Sequence, residues 1–290
     1  MAKVKMPGST AIVFNGAALL VVGASLAFVA RSVFVPDDVT PCRDRYEAAM
    51  RFGLDRGGEP MAAADLQARL GNTDWGLLET TRVVKLKTGP GKHALEIDLA
   101  KVSPETTTAS GEKRAGVGFT WTPPSLGKAR AACLSYAVYL PEDFAFGKGG
   151  RLPGLMGGAA KAADDAEAAQ SAISTRYTWS PAGAGNVLLQ GAGNPEGRPV
   201  AGANEAFPLP RGKWVGLDQE VILNAPGQKN GVLRVWLDGK LVLNRTGVVY
   251  RTRPDVTLSG VLAETNAGEP PAGKPGARRI WMTPFELRWQ

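Results

Sequence analysis

The chain has 290 residues, 44% hydrophobic and 21% charged, with 36 Gly and 21 Pro, a globular composition rather than a disordered or collagen-like one. One His and two Cys argue against zinc sites, Ser-His-Asp or Cys-His nucleophile systems, haem and iron–sulfur clusters, so no metal or cofactor is expected. The net charge of +7 favours an acidic partner such as a phosphate polymer, an anionic lipid or a uronic-acid polysaccharide.

In chain order, the first feature is a membrane segment within residues 1–35. Between Ser9 and Val35 only Arg31 is charged, and the apolar run from Ala11 to Ala30 is long enough to cross a bilayer. Lys3 and Lys5 precede it, so the positive-inside rule places everything after residue 36 outside the cytoplasm. Ser25-Leu26-Ala27 also fits a cleavage site, which would give a secreted protein. The apolar stretch continues past it, and an uncleaved transmembrane helix through residues 10–35 is the preferred reading. On the periplasmic side of a Gram-negative cell, or its equivalent, Cys42 and Cys133 meet oxidising conditions; they form one disulfide or remain two separate thiols. Without Lys3, Lys5 and Arg31 the exported part carries only +4.

Residues 36–74 show two short helical patterns, Arg43–Leu54 and Met61–Leu70, and read as a stalk or packing segment. From Trp75 to Gln290 the texture changes to short runs rich in β-branched and aromatic residues, punctuated by Gly, Pro and Asn. Predicted strands are Arg82–Lys87, Ala94–Leu99, Gly116–Thr122, Ala131–Leu140, Ile173–Trp179, Asn186–Gln190, Trp214–Leu223, Val232–Leu237, Leu241–Asn244, Val256–Leu262 and Ile280–Trp289. An Asp238-Gly239 pair between two of them predicts a tight hairpin. Ala159–Ala172 reads as a surface helix, Gly268–Gly276 as a loop, and His93 as a surface residue. So many strands in one all-β domain suit a jelly-roll β-sandwich better than an immunoglobulin-like one.

Three segments carry candidate chemistry. Lys148-Gly149-Gly150-Arg151-Leu152-Pro153-Gly154-Leu155 is a Gly-dense loop with two cations, its backbone pressed against a ligand or another strand. In Ser174-Thr-Arg176-Tyr177-Thr-Trp179, alternation puts Ser174, Arg176 and Thr178 on one face and Ile173, Tyr177 and Trp179 on the other. Arg176 there is placed to grip a carboxylate through its fork of donors, or to pair with an acid such as Asp218 or Glu220. The third segment runs from Arg211 through Lys213, Trp214, Gln219 and Asn224 into the hairpin.

Together these resemble the family 14 polysaccharide lyases, jelly-roll alginate and glucuronan lyases. The resemblance rests on the loop Lys148 to Leu155, with Arg151 for the second Lys, and on Ser174-x-Arg176-x-x-Trp179. Gly212-Lys213-Trp214 with Leu223-Asn224, and Trp236-x-Asp238-Gly239, extend it, so that it covers about residues 115–290 in order. It implies β-elimination on a uronic-acid polysaccharide, with Lys148 or Arg151, Ser174 and Arg176 as the matching catalytic residues; Arg151, Gln219 and Arg251 are the candidate substrate contacts. Where the family has a Tyr-x-Tyr strand, this chain reads Asn186-Val187-Leu188-Leu189-Gln190. Tyr250, beside Arg251 and Arg253, is the candidate replacement phenol. A non-catalytic glycan-binding or structural envelope protein of the same fold is the alternative. Basic clusters interleaved with aromatics are not evident, so no nucleic acid is expected.

Overall fold

The computed structural model describes residues 39–71, 74–107, 113–158, 171–202, 205–268 and 277–290. The membrane segment and nearly all of the expected Ala159–Ala172 helix and Gly268–Gly276 loop lie outside them. Among the described residues no helix is long and apolar enough to cross a membrane.

The strand Ala131–Tyr139 shows how sequence alternation becomes a sandwich. Ala132, Leu134, Tyr136 and Val138 enter the core, while Cys133, Ser135 and Tyr139 take the other face. This strand is central to the first sheet. On one side it pairs with Trp214–Ile222, followed by Gly231–Leu237 and Lys240–Val248. On the other it pairs with Arg279–Met282 and Phe285–Trp289, which lead respectively to His93–Asp98 with Thr81–Lys85 and to Ala48–Phe52. The second sheet runs Asn194–Pro199, Ala184–Gly191, Ile173–Trp179, Gly150–Gly157, Leu258–Leu262 and Thr120–Trp121, all antiparallel. Phe207–Pro208 and Asn266–Ala267 add short pairings to it. The protein is therefore an all-β sandwich with few helices.

The Asp238-Gly239 hairpin forms as expected, with φ of 49° and 80° at its two central residues. The long strand expected over Ile280–Trp289 is broken at Thr283-Pro284, since Pro has no N–H to give the ladder.

Three expectations are corrected. The Gly-dense segment from Gly150 is a strand, not a loop. Built on Gly154, a Cβ would lie 2.0 Å from the Thr175 carbonyl oxygen, and on Gly157, 2.3 Å from that of Thr257. Its glycines permit close strand approach across a bulge between Leu152 and Leu155. Arg43–Leu54 is not helical: a short 3₁₀ turn, Cys42–Asp44, leads to the strand Ala48–Phe52 on Phe285–Trp289. His93 is buried at the start of its strand, 4.0 Å from Asp55.

One compact unit runs from Thr40 to Gln290. Phe52, Leu54, Met61 and Leu66 belong to the same core as the sheets, the last on the helix Ala63–Arg69. The ring of Phe52 packs among those of Phe119, Trp121 and Phe285. Each such side chain contributes about 1.5–3 kcal/mol by leaving water. Cys42 and Cys133 form a disulfide, separated by 91 positions. It fixes a strap on the first sheet whose Arg43 lies 3.4 Å from Asp218 and whose Arg45 lies 2.5 Å from Glu220. The Tyr46 hydroxyl donates to Glu220, which also pairs with Arg234 at 2.8 Å. These acids are fully buried, and the strap supplies part of their countercharge.

Candidate functional site

Arg176 owes its position to the alternation of its strand. Ile173, Thr175, Tyr177 and Trp179 are buried, and Ser174, Arg176 and Thr178 take the opposite face, as expected. Leu188 and Gln190 sit opposite Arg176 and Ser174 on one neighbouring strand. On the other, Arg151 sits opposite Thr178 and Met156 opposite Ser174. Arg151 in turn faces Asn266, just beyond the strand Leu258–Leu262.

This register gathers a compact ionic cluster. The Glu264 carboxylate accepts from Arg176, from Arg151 at 3.0 Å and from the Asn266 amide at 2.9 Å. The Arg176 and Glu264 side chains are 14% and 9% exposed, whereas Arg151 is 40% exposed and opens the cluster to solvent. Burial acts to raise the Glu264 pKa, but the charges of Arg176 and Arg151 outweigh it and hold the carboxyl below its ordinary value. The resulting stability is present at neutral pH and lost as pH falls through that lowered pKa. Two guanidinium groups converging on one carboxylate form a geometry suited to a carboxylate ligand.

Trp179 holds the neighbouring loop. Its indole N–H donates to the Phe146 carbonyl at 3.0 Å, and its ring meets Phe144 edge-on at 6.0 Å. A Cβ on Gly150 would lie 2.1 Å from the same ring. Lys148 is exposed just before that strand, beside Gly268, where an added Cβ would lie 2.9 Å from the Lys148 Cβ. The buried Ser174 hydroxyl meets the Gln190 side-chain oxygen at 3.3 Å.

The other expected site residues lie elsewhere. Tyr250 is fully buried and its hydroxyl donates to the Val232 carbonyl at 3.0 Å; burial pushes its pKa well up. It is a core residue, not a phenol in the site. Tyr177 is likewise buried, as its alternation implied. Arg251 is spent on backbone, donating to the carbonyls of Asn224 at 3.0 Å and Val256 at 2.8 Å. Gln219 bridges the two sheets through the core: it accepts from the Leu155 N–H at 3.0 Å and the Thr175 hydroxyl at 2.7 Å, and donates to the Thr175 carbonyl at 2.6 Å. Gln219→Leu is therefore expected to strand those groups and lower unfolding stability by about 3 kcal/mol in denaturant titrations. A Gln219 that only touched ligand would leave the midpoint unchanged.

Asp218 and Glu220, the expected alternative partners of Arg176, lie on the first sheet under the strap. The actual partner, Glu264, was not anticipated; its signal is an acid two residues past a predicted strand end. A separate cleft of about 950 Å³ lies on the first sheet, lined by Arg43, Arg51, His93, Trp214 and Glu286 among others. Arg43 there pairs with Asp218 and Asp44, and Arg288 with Glu286, and the cleft shares no residue with the Arg176 cluster. The Arg176 face is the better candidate, because its cations converge on one point. Among the described residues no group of acidic, His or Cys side chains is arranged to hold a metal.

The family model of polysaccharide lyase 14 matches residues 87–194 and 200–270, including the whole cluster. Among solved structures, a marine PL-14 alginate lyase from Aplysia kurodai is similar at a TM-score of 0.61 and 19% identity, covering 84% of this chain and 99% of its own. An alginate lyase from Chlorella virus gives 0.59 at 19% identity, covering 78% and 97%. An endo-β-1,4-glucuronan lyase from the fungus Trichoderma reesei gives 0.54 at 14% identity, covering 73% and 87%. At these identities the likeness establishes the shared fold. No curated protein matches the chain.

Proposed function

The chain belongs to the polysaccharide lyase 14 family, and from that premise we propose that it cleaves a uronic-acid-containing polysaccharide by β-elimination. One observation carries the reading: Arg151 and Arg176 converge on a single carboxylate on the sheet face that bears Ser174. A guanidinium pair that already holds the carboxylate of Glu264 is shaped to hold that of a uronate. Neutralising the uronate carboxylate acidifies the C5 proton and stabilises the carbanion that forms there. The proton passes to the Lys148 amine. The electron pair left at C5 forms the C4=C5 double bond as the C4–O4 bond breaks, and O4 leaves with a proton returned from Lys148. Ser174 and Gln190 border the sugar on the same face. Alginate and glucuronan, the polymers named for the structural relatives, are the first substrates to try.

A second reading, binding without cleavage, is favoured by one specific observation. None of the five tyrosines stands on the Arg176 face: Tyr46, Tyr136, Tyr177 and Tyr250 are buried, and Tyr139 packs with Trp214 and Trp281 on the first sheet. Incubating the full-length protein with alginate and glucuronan, and following the ultraviolet absorbance of the unsaturated product, separates the two. A steady rise supports the lyase. No rise, with retention on a uronate column, supports the binder.

Residues 10–35 act as the membrane anchor in this proposal and hold the sandwich outside the cytoplasm. The apolar run behind Lys3 and Lys5 supports that placement, and the Cys42–Cys133 disulfide is of a kind that persists in oxidising compartments.

A further inference from the structure

We propose that Glu264 is an internal stand-in for the substrate carboxylate, occupying Arg151 and Arg176 until a polyanion displaces it, so that the site selects polymers over short uronates. This rests on the reading of that face as the uronate site. The geometry supplies the argument. Glu264 takes both guanidinium groups with its two carboxylate oxygens, Oε1 toward Arg151 and Oε2 toward Arg176. An incoming uronate meets these same donors already engaged, and it also meets a negative charge held between them. Asn266 donates to Glu264 from the side and steadies it in this position.

Displacement has a physical consequence for length selection. A buried carboxylate leaving two cations loses charge-assisted hydrogen bonds, and a monovalent ligand replaces them with no surplus. A polymer adds further uronate units along the solvent-open side of the cluster, where Arg151 is 40% exposed, and once one unit is seated the others bind at high local concentration. The stand-in thus suppresses occupancy by single uronates and short fragments, including the products of cleavage.

The test compares calorimetric binding of a uronate dimer and of the polymer to the wild-type full-length protein, Glu264→Gln, Asn266→Ala and Arg176→Ala. Glu264→Gln keeps the shape of the side chain and removes its charge. It is expected to bind the dimer about tenfold tighter or more, with a smaller gain for the polymer, narrowing the polymer-to-dimer ratio. Asn266→Ala, which loosens Glu264 without touching either guanidinium, is expected to shift the ratio the same way by a smaller factor. Dimer binding to Glu264→Gln that is unchanged or weaker, in a variant that still unfolds cooperatively above the temperature of the binding measurement, overturns the stand-in and makes Glu264 a residue that positions Arg176. That result leaves the uronate site intact as long as Arg176→Ala still loses the polymer. Equal polymer binding by wild type and Arg176→Ala overturns the site assignment itself, and the stand-in with it.

Discussion

Replacing Arg176 with Ala is expected to reduce kcat/KM on uronate polymers by about 10²–10³-fold, the loss typical when a preorganised donor is removed from a developing negative charge. Arg176 is the least exposed cation of the cluster, at 14%, and its guanidinium is the one held deepest on the sheet face. Its removal takes away the group that neutralises the carboxylate. It also leaves the negative Glu264 facing the incoming uronate. The fold survives, because Glu264 keeps Arg151 at 3.0 Å and Asn266 at 2.9 Å. Arg176→Lys is not expected to rescue activity, since an ammonium presents a point charge instead of the planar fork that can grip a carboxylate. The check is product absorbance beside thermal unfolding. Activity near wild type in either variant contradicts the assignment.

Loss of the Cys42–Cys133 disulfide is expected to have the largest effect on stability, about 4–5 kcal/mol by the loop-closure entropy of a 91-residue separation. A second effect adds to it. The strap that the disulfide anchors brings Arg43 to Asp218 and Arg45 and Tyr46 to Glu220, and both acids are fully buried in the first sheet. Once the strap is released, Asp218 retains the Ser135 hydroxyl at 2.6 Å and Glu220 retains Arg234, but each loses a cation. Burial already raises the Asp218 pKa against the lowering pulls of Ser135 and Arg43, so without Arg43 it rises further. Denaturant unfolding with and without reductant, and of the Cys42→Ser/Cys133→Ser protein, measures this. Coincident midpoints contradict it.

How far the sequence could be read depended on how each residue's role is encoded. Strands with clean alternation, such as Ile173–Trp179 and the Asp238-Gly239 hairpin, were legible because burial on one face imposes a period of two. The strand Gly150–Gly157 was not, because its bulge interrupts that period and its glycines, needed for close backbone approach, imitate a loop. Arg43–Leu54 misled in the other direction. Its apolar residues recur at helical spacing, yet only Phe52 of the strand Ala48–Phe52 is buried, and the pairing with Phe285–Trp289 is made by backbone. Ser174, Arg176, Arg151 and Lys148 were legible through a local motif. Glu264 was not, because its partnership with Arg176 spans 88 positions and is made by the sheet register. Gln219 and Tyr250 carried polar groups that suggested a site, but those groups bridge the sheets or bond to backbone within the core.

The most direct measurement of the central claim is a crystal structure of the Lys148→Ala protein, slowed in turnover, with a bound uronate oligosaccharide. The account predicts a sugar carboxylate held by Arg176 and Arg151 together, with Glu264 swung away from both. An oligosaccharide seated instead in the first-sheet cleft beside Arg43, His93 and Trp214, with the Arg151–Glu264–Arg176 cluster undisturbed, would contradict it.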